Sequence, residues 1–526
     1  VPRISAFLAR YTRGRGFGRA SHPPVRPRGF LHRSLRRYWI AVALPAAVLL
    51  GASTYAWSPW NYQPCAAGME AVGSPYFCVG LDLMSAPLRE NDPLAPLERI
   101  IARYDAQIKG PKVKTLVLLA DLTPNPNTDS VSMAAVKHSI EGAITAVWRN
   151  NKPGDIKLLL ANFGSGAKSW QNAVNAIISY RTSLHILAVT GLGESLDYTR
   201  QAVAVLSDSN IVTIGSVVTA DNMNQWPDHK VSRDFFRVGP TNSDEVSAAV
   251  PYIKSKYHRI MMIEELNSTD SYARTLADDF RRKFGIAPGF ASYYSPGGEL
   301  TGTTRAESLL GTFEQRLLAI CAYLPDLIYF AGRGRDISGL VTSLADIGCP
   351  EKKSVTIMTG DDVSDLIGLS LPLLSGRTQV TILYTAIAER NEWNGFPANS
   401  QHRKDYNDFV NQFTIKQGFD PADLSGGDAM MDYDAMAVAV KAATEIGDAT
   451  DAISMLNHVS GITCADAYPG ASGPIAFRQD QNQFDKAIPI LQFSPDGSVH
   501  QVALVWSRKN TPLDMIQGCS LARPGG

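Results

Sequence analysis

From Lys114 onward, short apolar runs alternate with longer amphipathic stretches, and this rhythm narrows the possible folds more than any other property of the chain. TLVLLA (115–120), IKLLLA (156–161), LHILAVT (184–190) and IVTIGS (211–216) are β-rich, while helical spacing of apolar residues fills 133–147, 170–180 and 199–207. Short apolar strands separated by helices of about 10–15 residues are the signature of βαβ units and a parallel sheet. A second series follows FFRVGP (235–240): helix 243–255, RIMMIEE (259–265), helix 271–284, ASYYSP (291–296), then a helix within 304–322. It continues through DLIYFAG (326–332), helix 336–347, SVTIMTG (354–360) and VTILYTA (380–386), before helices at 403–417 and 430–446 and a hairpin-like tail. The pattern predicts an α/β chain with two doubly wound parallel-sheet lobes. In such sheets ligands sit beyond the carboxyl ends of the strands, so two facing lobes are expected to share one cleft.

Ahead of this body, Trp39 to Trp57 holds no charge, and the 38 residues before it carry ten Arg, no Lys and no acid. An apolar run of this length crosses a ~30 Å hydrocarbon core as a helix. The arginines keep the N-terminus cytoplasmic. Residues 39–57 are therefore read as a single-pass transmembrane signal anchor, with a basic disordered cytoplasmic tail at 1–38 and an extracytoplasmic main body. Export followed by cleavage and release is the alternative, although Thr54-Tyr55-Ala56 makes a poor cleavage site and the basic region is long.

Ten of the 50 basic residues lie in that tail, which leaves 40 against 50 acids and a body near −10. Bulk charge of that sign does not favour nucleic acid or anionic lipid. All six cysteines (Cys65, Cys78, Cys321, Cys349, Cys464, Cys519) follow the apolar segment, and an even number in an oxidising compartment reads as disulfides. Of the fifteen connectivities, proximity favours Cys65–Cys78 and Cys321–Cys349, leaving Cys464–Cys519. With no C-x-x-C pair, no His-Glu-x-x-His spacing and no Gly-x-Ser-x-Gly elbow, neither a metal, a cofactor nor an enzyme is expected. Gly164–Ser169 follows a strand as a phosphate loop does, but an inserted Ala breaks the required Gly-Lys-Ser ending.

Several stretches carry a family resemblance. VTGLGES (189–195) looks like a strand-end loop, and NIVTIGSVVTADN (210–222) is similar to a strand with a Ser-Pro-x-Ala-Thr-Asn turn. FFRVGPTNSDEVSAAVPYI (235–253) resembles an aromatic-Arg strand crossing into a helix, and IMMIEELNSTDSYARTLADDFRRKFG (260–285) a strand, acidic loop and Tyr-Gly-like helix start. DLIYFAGRGRDISGLVTSLADIGC (326–349), IMTGDDVSD (357–365) and DYDAMAVAVKAATEIG (432–447) complete the order. Over about residues 111–510 this order resembles the type I periplasmic binding proteins, in their branched-chain amino-acid (Leu/Ile/Val) branch.

The resemblance implies an extracytoplasmic receptor that closes two lobes over a solute, with crossings near 240–248, 376–388 and 468–476 forming the hinge. It implies binding lobe 1 at 111–245 and 385–472, lobe 2 at 246–384 and 473–510, an N-terminal extension at 58–110 and a C-terminal tail at 511–526. Carried over by position, the ligand carboxylate meets Glu194 and Ser195 after one strand, and Ser216, Thr219 and Asp221 after the next. Ser195 and Thr219 also suit helix caps, a role compatible with binding. The ligand ammonium meets Asp361 or its neighbour Asp362, and Tyr272 stands at the helix start of the second lobe.

Two positions depart from the family. Arg333 replaces an aromatic residue, and Glu194 replaces a small hydroxyl residue. Arg333 either recognises an acidic group bidentately or pairs with Glu194 across the cleft. The expected ligand is a small polar or zwitterionic, amino-acid-like molecule rather than simply leucine. A membrane permease of the ABC type is the expected partner. A membrane-anchored sensor signalling through a partner and a module that has lost its ligand are the alternatives.

Overall fold

A computed structural model describes residues 65–508, apart from residues 66, 74–75, 85–87, 89–90, 111–112, 127, 151–154, 227–229, 268, 287–290, 295–301 and 367–375. The apolar segment 39–57, the arginine-rich tail, Cys519 and the segment 511–526 lie outside the described residues, so the expected membrane helix and the Cys464–Cys519 pair do too. Among the described residues no helix is long and apolar enough to cross a membrane.

The first sheet contains β1 (Met69–Val72), β2 (Phe77–Asp82), β3 (Lys114–Ala120), β4 (Ile156–Asn162), β5 (Ile186–Gly191), β6 (Val212–Gly215) and β7 (Phe235–Arg237). Its spatial order is β1-β2-β4-β3-β5-β6-β7, with β4 through β7 parallel and the β1–β2 hairpin antiparallel at one edge. Residues 69–82, set apart in the sequence as an extension, thus complete this sheet. The second sheet is built from β8 (Ile260–Glu265), β9 (Ala291–Tyr294), β10 (Leu327–Ala331), β11 (Ser354–Thr359) and β12 (Gln379–Thr385). A small hairpin, β13 (Tyr468–Gly470) with β14 (Gly473–Ile475), precedes β15 (Ala487–Phe493) and β16 (Val499–Trp506); β15 joins the second sheet antiparallel to β12, and β16 pairs antiparallel to β15 at the edge. Its order is β16-β15-β12-β11-β10-β8-β9.

The central strands are apolar throughout because helices cover both faces. In β3, Leu116 and Leu118 enter one core while Val117 and Leu119 enter the other. In β10, Ile328 and Phe330 face one side, and Leu327 and Tyr329 the opposite one. Two disulfides pin peripheral segments as proximity predicts: Cys65–Cys78 ties the chain ahead of β1 to β2, and Cys321–Cys349 ties the helix Gly302–Tyr323 to the turn before β11.

The chain changes lobe three times. Val238 belongs to the first core and Val246 to the second lobe's core, which places one crossing between them. Ala386 and Ile387 fall in opposite lobes. The third crossing lies between Phe477, packed in the first lobe, and β15, later than the expected 468–476. There Asp434 accepts the amides of Ala471 (2.6 Å) and Ser472 (3.0 Å), and the buried Lys486 ammonium donates to the Ser472 carbonyl (2.9 Å).

One contact fixes the helix that carries part of the cleft wall. Helices Met133–Asn150 and Asp428–Glu445 pack backbone to backbone at Gly142, where a Cβ would collide with the carbonyl oxygen of Ala429. Crowding of this kind is relieved by shifting one backbone away from the other. Gly142→Ala is expected to lower stability by about 1–3 kcal/mol in urea unfolding. A change within about 0.5 kcal/mol would mean that the two helices separate freely.

Candidate functional site

In each sheet the strand order reverses around a first strand, β3 beside β5 in one lobe and β8 beside β10 in the other. Connections leave such neighbours in opposite directions, so a crevice opens at their carboxyl ends. The residues immediately after these strands line a cavity of about 80 Å³ between the lobes: Asp121 after β3, Glu194 and Ser195 after β5, Arg333 after β10. Thr219 reaches it from the loop after β6, and Asp361 and Asp362 from the turn after β11. At roughly 10–15 Å³ for each water centre, the space suits a small solute.

The two lobes are in contact around this cavity. The Ser195 carbonyl accepts the Tyr272 amide at 3.1 Å, and the Thr269 carbonyl accepts the Asp197 amide at 3.1 Å. Ser271 Oγ donates to Asp197 Oδ1 at 2.7 Å, and Arg274 lies 3.3 Å from the same oxygen. Thr219 Oγ1 donates across the cleft to Asp361 Oδ1 at 3.3 Å.

Arg333 organises the second-lobe wall. Its Nε and Nη2 bind Asp270 at 2.5 and 2.9 Å, and its Nη1 binds Asp362 at 2.7 Å. Nη2 also reaches the Ser195 carbonyl of the first lobe at 3.5 Å. Asp270 caps the helix Ser271–Phe284 through the Ala273 amide, which orients it toward the guanidinium. Asp362 accepts the Gly334 amide at 2.6 Å, an approach that a side chain at Gly334 would block. The guanidinium lies over the Tyr272 ring, 4.9 Å from its centroid. Burial opposes the Arg333 charge, yet Asp270, Asp362 and Glu194 hold its pKa above the ordinary value.

The first-lobe wall is held by a different arginine. Fully buried Arg237, from the aromatic-Arg strand, donates to the carbonyls of Val218 (3.1 Å) and Ala220 (2.7 Å) and so fixes the loop bearing Thr219. Ser195 Oγ accepts the Ala220 amide at 3.2 Å, tying two cleft loops together. Half-buried Glu194 accepts the Val131 amide at 2.6 Å. The loop resembling a phosphate site serves the cleft instead, because its Gly166 amide donates to Asp121 Oδ2 at 2.7 Å.

Of the nine residues singled out from sequence, Glu194, Ser195, Thr219, Tyr272, Arg333, Asp361 and Asp362 line the cavity. Ser216 and Asp221 stand behind it: Ser216 Oγ donates to the Gly191 carbonyl, and Asp221 accepts the Ser243 amide. Arg333 takes its carboxylates from Asp270 and Asp362 rather than from Glu194. Sequence reasoning missed Asp121, Asp270, Asp428 and Asp432. Asp121 is signalled by its place directly after the first strand of the switch point, and Asp432 by its place in the Tyr-Asp-Ala helix.

Burial dominates the acid groups here. It raises the Asp121 carboxyl well above the usual range, with Asp129 and Glu194 adding to the effect. It raises Glu194, helped by Asp362, and raises Asp361, again helped by Asp362. Asp432 is pushed up to about 7 by burial.

Two doubly wound lobes in contact around a cavity that carries acids and hydroxyls have the architecture of a cleft-type binding protein. A family model described as periplasmic binding protein matches residues 171–498, and the chain belongs to that family. Among solved structures it is similar to a leucine binding protein from Thermotoga maritima, at 17% identity and a TM-score of 0.55, with 75% of this chain and 99% of that one covered. It is also similar to a branched-chain amino acid transporter substrate binding protein from Streptococcus pneumoniae solved with isoleucine, at 16% identity, TM-score 0.54, and 75% and 99% coverage. A Desulfitobacterium hafniense ABC transporter substrate-binding protein in complex with Leu gives 16% identity, TM-score 0.53, and 74% and 99% coverage. A comparison with curated proteins gives no significant match.

The raised Asp432 pKa has a sign that can be checked. Between the ordinary carboxyl range near ~4 and about 7, the folded protein holds a proton that the unfolded chain releases. Its stabilising contribution is complete below that window and is lost as pH rises through it. The unliganded protein is therefore expected to melt a few degrees lower at pH 8 than at pH 5, with Asp432→Asn reducing the difference. An identical pH dependence in the variant would place that proton on another group.

Proposed function

We propose that the chain is an extracytoplasmic receptor for a small amino-acid-like solute, which it delivers to an ABC-type membrane transporter. The observation that carries this is the cavity itself: hydroxyl-bearing loops at Ser195 and Thr219 on one lobe face Asp361 and Asp362 on the other. A carboxylate is received by hydroxyls and convergent backbone amides at strand-to-helix turns. An ammonium forms a charge-assisted hydrogen bond with an opposing carboxylate. Membership of the periplasmic binding protein family supports the role, and two of the similar structures were solved with leucine and isoleucine.

Closure follows from where the contacts lie. A solute touching Ser195 and Thr219 on one side and Asp361 on the other gains its full partners only when both lobes grip. Its differential affinity therefore shifts the population toward the closed form. Arg333, Asp270 and Asp362 shape the wall and bridge to Ser195.

A thermal-shift screen of the purified protein against amino acids and small organic acids tests the proposal. A solute at one hundred times its Kd stabilises the native state by about 2.7 kcal/mol, which reads as a rise of several degrees in Tm. At least one amino acid is expected to give such a rise, reduced by Thr219→Val. A flat response across the whole screen would remove the receptor function.

A further inference from the structure

The charge of the cavity lining is lopsided. Six carboxylates border it: Asp121, Glu194, Asp361, Asp362, Asp428 and Asp432. Among the described residues of the lining the one cation is Arg333, already bound to Asp270 and Asp362. An acidic solute would bring further negative charge to a lining already rich in acids, whereas a cationic group would favour their ionised forms.

Two of these acids have an oxygen in want of a partner. Asp121 Oδ1 and Asp432 Oδ1 are buried and accept no hydrogen bond among the described residues, and the two residues are only 3% and 2% exposed. The Asp121 carboxyl faces Asp129 and Glu194, two further acids, while Asp432 faces the Ser139 and Ser216 hydroxyls. Both belong to the first lobe, opposite Asp361. A buried polar atom left without a partner carries a desolvation penalty of about 1–3 kcal/mol, which an incoming donor removes. Between these acids the lining is aliphatic, with Val131, Ala135, Val136, Val217 and Ile387.

We infer that the solute is an organic dication with an aliphatic spacer: one ammonium meets Asp361 on the second lobe, the other meets Asp121 and Asp432 on the first, and the methylenes lie against Val136 and Val217. This rests on the receptor function proposed above and names its substrate class. A basic α-amino acid and a free diamine share this chemistry and differ by one carboxylate. The raised proton affinity of Asp121 and Asp432 adds a signature, because a bound ammonium favours their ionised forms and displaces protons.

Isothermal titration calorimetry of the full chain with lysine, cadaverine and norleucine tests it, since norleucine is lysine without its terminal ammonium. Lysine, cadaverine or both are expected to bind at least about tenfold more tightly than norleucine. Lysine above cadaverine identifies the amino acid, and the reverse order the diamine. Titration in two buffers of different ionisation enthalpy is expected to show proton release for the dications and less for norleucine. Asp121→Asn and Asp432→Asn are expected to erase most of the preference for lysine or cadaverine over norleucine. Norleucine or leucine binding as tightly as either dication would overturn the inference and keep the receptor. An absence of heat with all three, together with a flat thermal screen, would overturn both. Since the wild-type comparison needs no variant, poor folding of an Asn variant would not rescue the inference.

Discussion

The Arg333 guanidinium reaches four oxygens from one buried position: both of Asp270, one of Asp362 and the carbonyl oxygen of Ser195 on the opposite lobe. Removing a charge of this kind from water carries a penalty of several kcal/mol, and only such extensive pairing offsets it. The arrangement therefore stands or falls as a unit. Asp270 sets the start of a second-lobe helix, Asp362 sets the turn after β11, and Ser195 ends the first-lobe loop after β5. A single side chain thus relates three strand ends that must be in register before any solute is held.

Around that one cation, the cleft collects acids. Nothing in folding alone rewards burying Asp121, Asp361 and Asp432 together, and burial raises the proton affinity of each. Stability is surrendered at the site where function needs a field, a common location for perturbed carboxyls. Gly166 braces Asp121 from behind and Arg237 fixes the loop bearing Thr219, so this wall is set in advance. Preorganised groups of this kind reduce the ordering needed on binding.

Much of the lobe architecture was legible because parallel strands buried on both faces read as continuous apolar runs. TLVLLA, IKLLLA and DLIYFAG correspond to β3, β4 and β10 within a residue or two. The β1–β2 hairpin was not placed, because its membership of the sheet is decided by pairing β2 with β4 across some 80 residues. The site was legible where position follows from topology, as for Ser195, Thr219 and Asp361 at strand ends. It was not legible where a partner comes from a distant loop. The sequence left Arg333 to choose between an acidic ligand and Glu194, whereas the fold brings up Asp270 from the loop after β8. The broken motif of the Gly164–Ser169 loop discounts a phosphate cradle, but its actual neighbour, the carboxylate of Asp121, was not legible from the loop alone.

In the proposed receptor, closure over a solute joins fold to function. Leu318 on the second lobe and Ile415 on the first are 80% and 73% exposed, and among the described residues no cysteine is free. Leu318→Cys and Ile415→Cys therefore offer one dye position on each lobe for energy transfer between them. With a solute that gives calorimetric binding, the transfer distribution should narrow onto a single compact state, and Thr219→Val should demand more solute to reach it. A distribution unchanged by a bound solute would show that the lobes do not close and would contradict the mechanism.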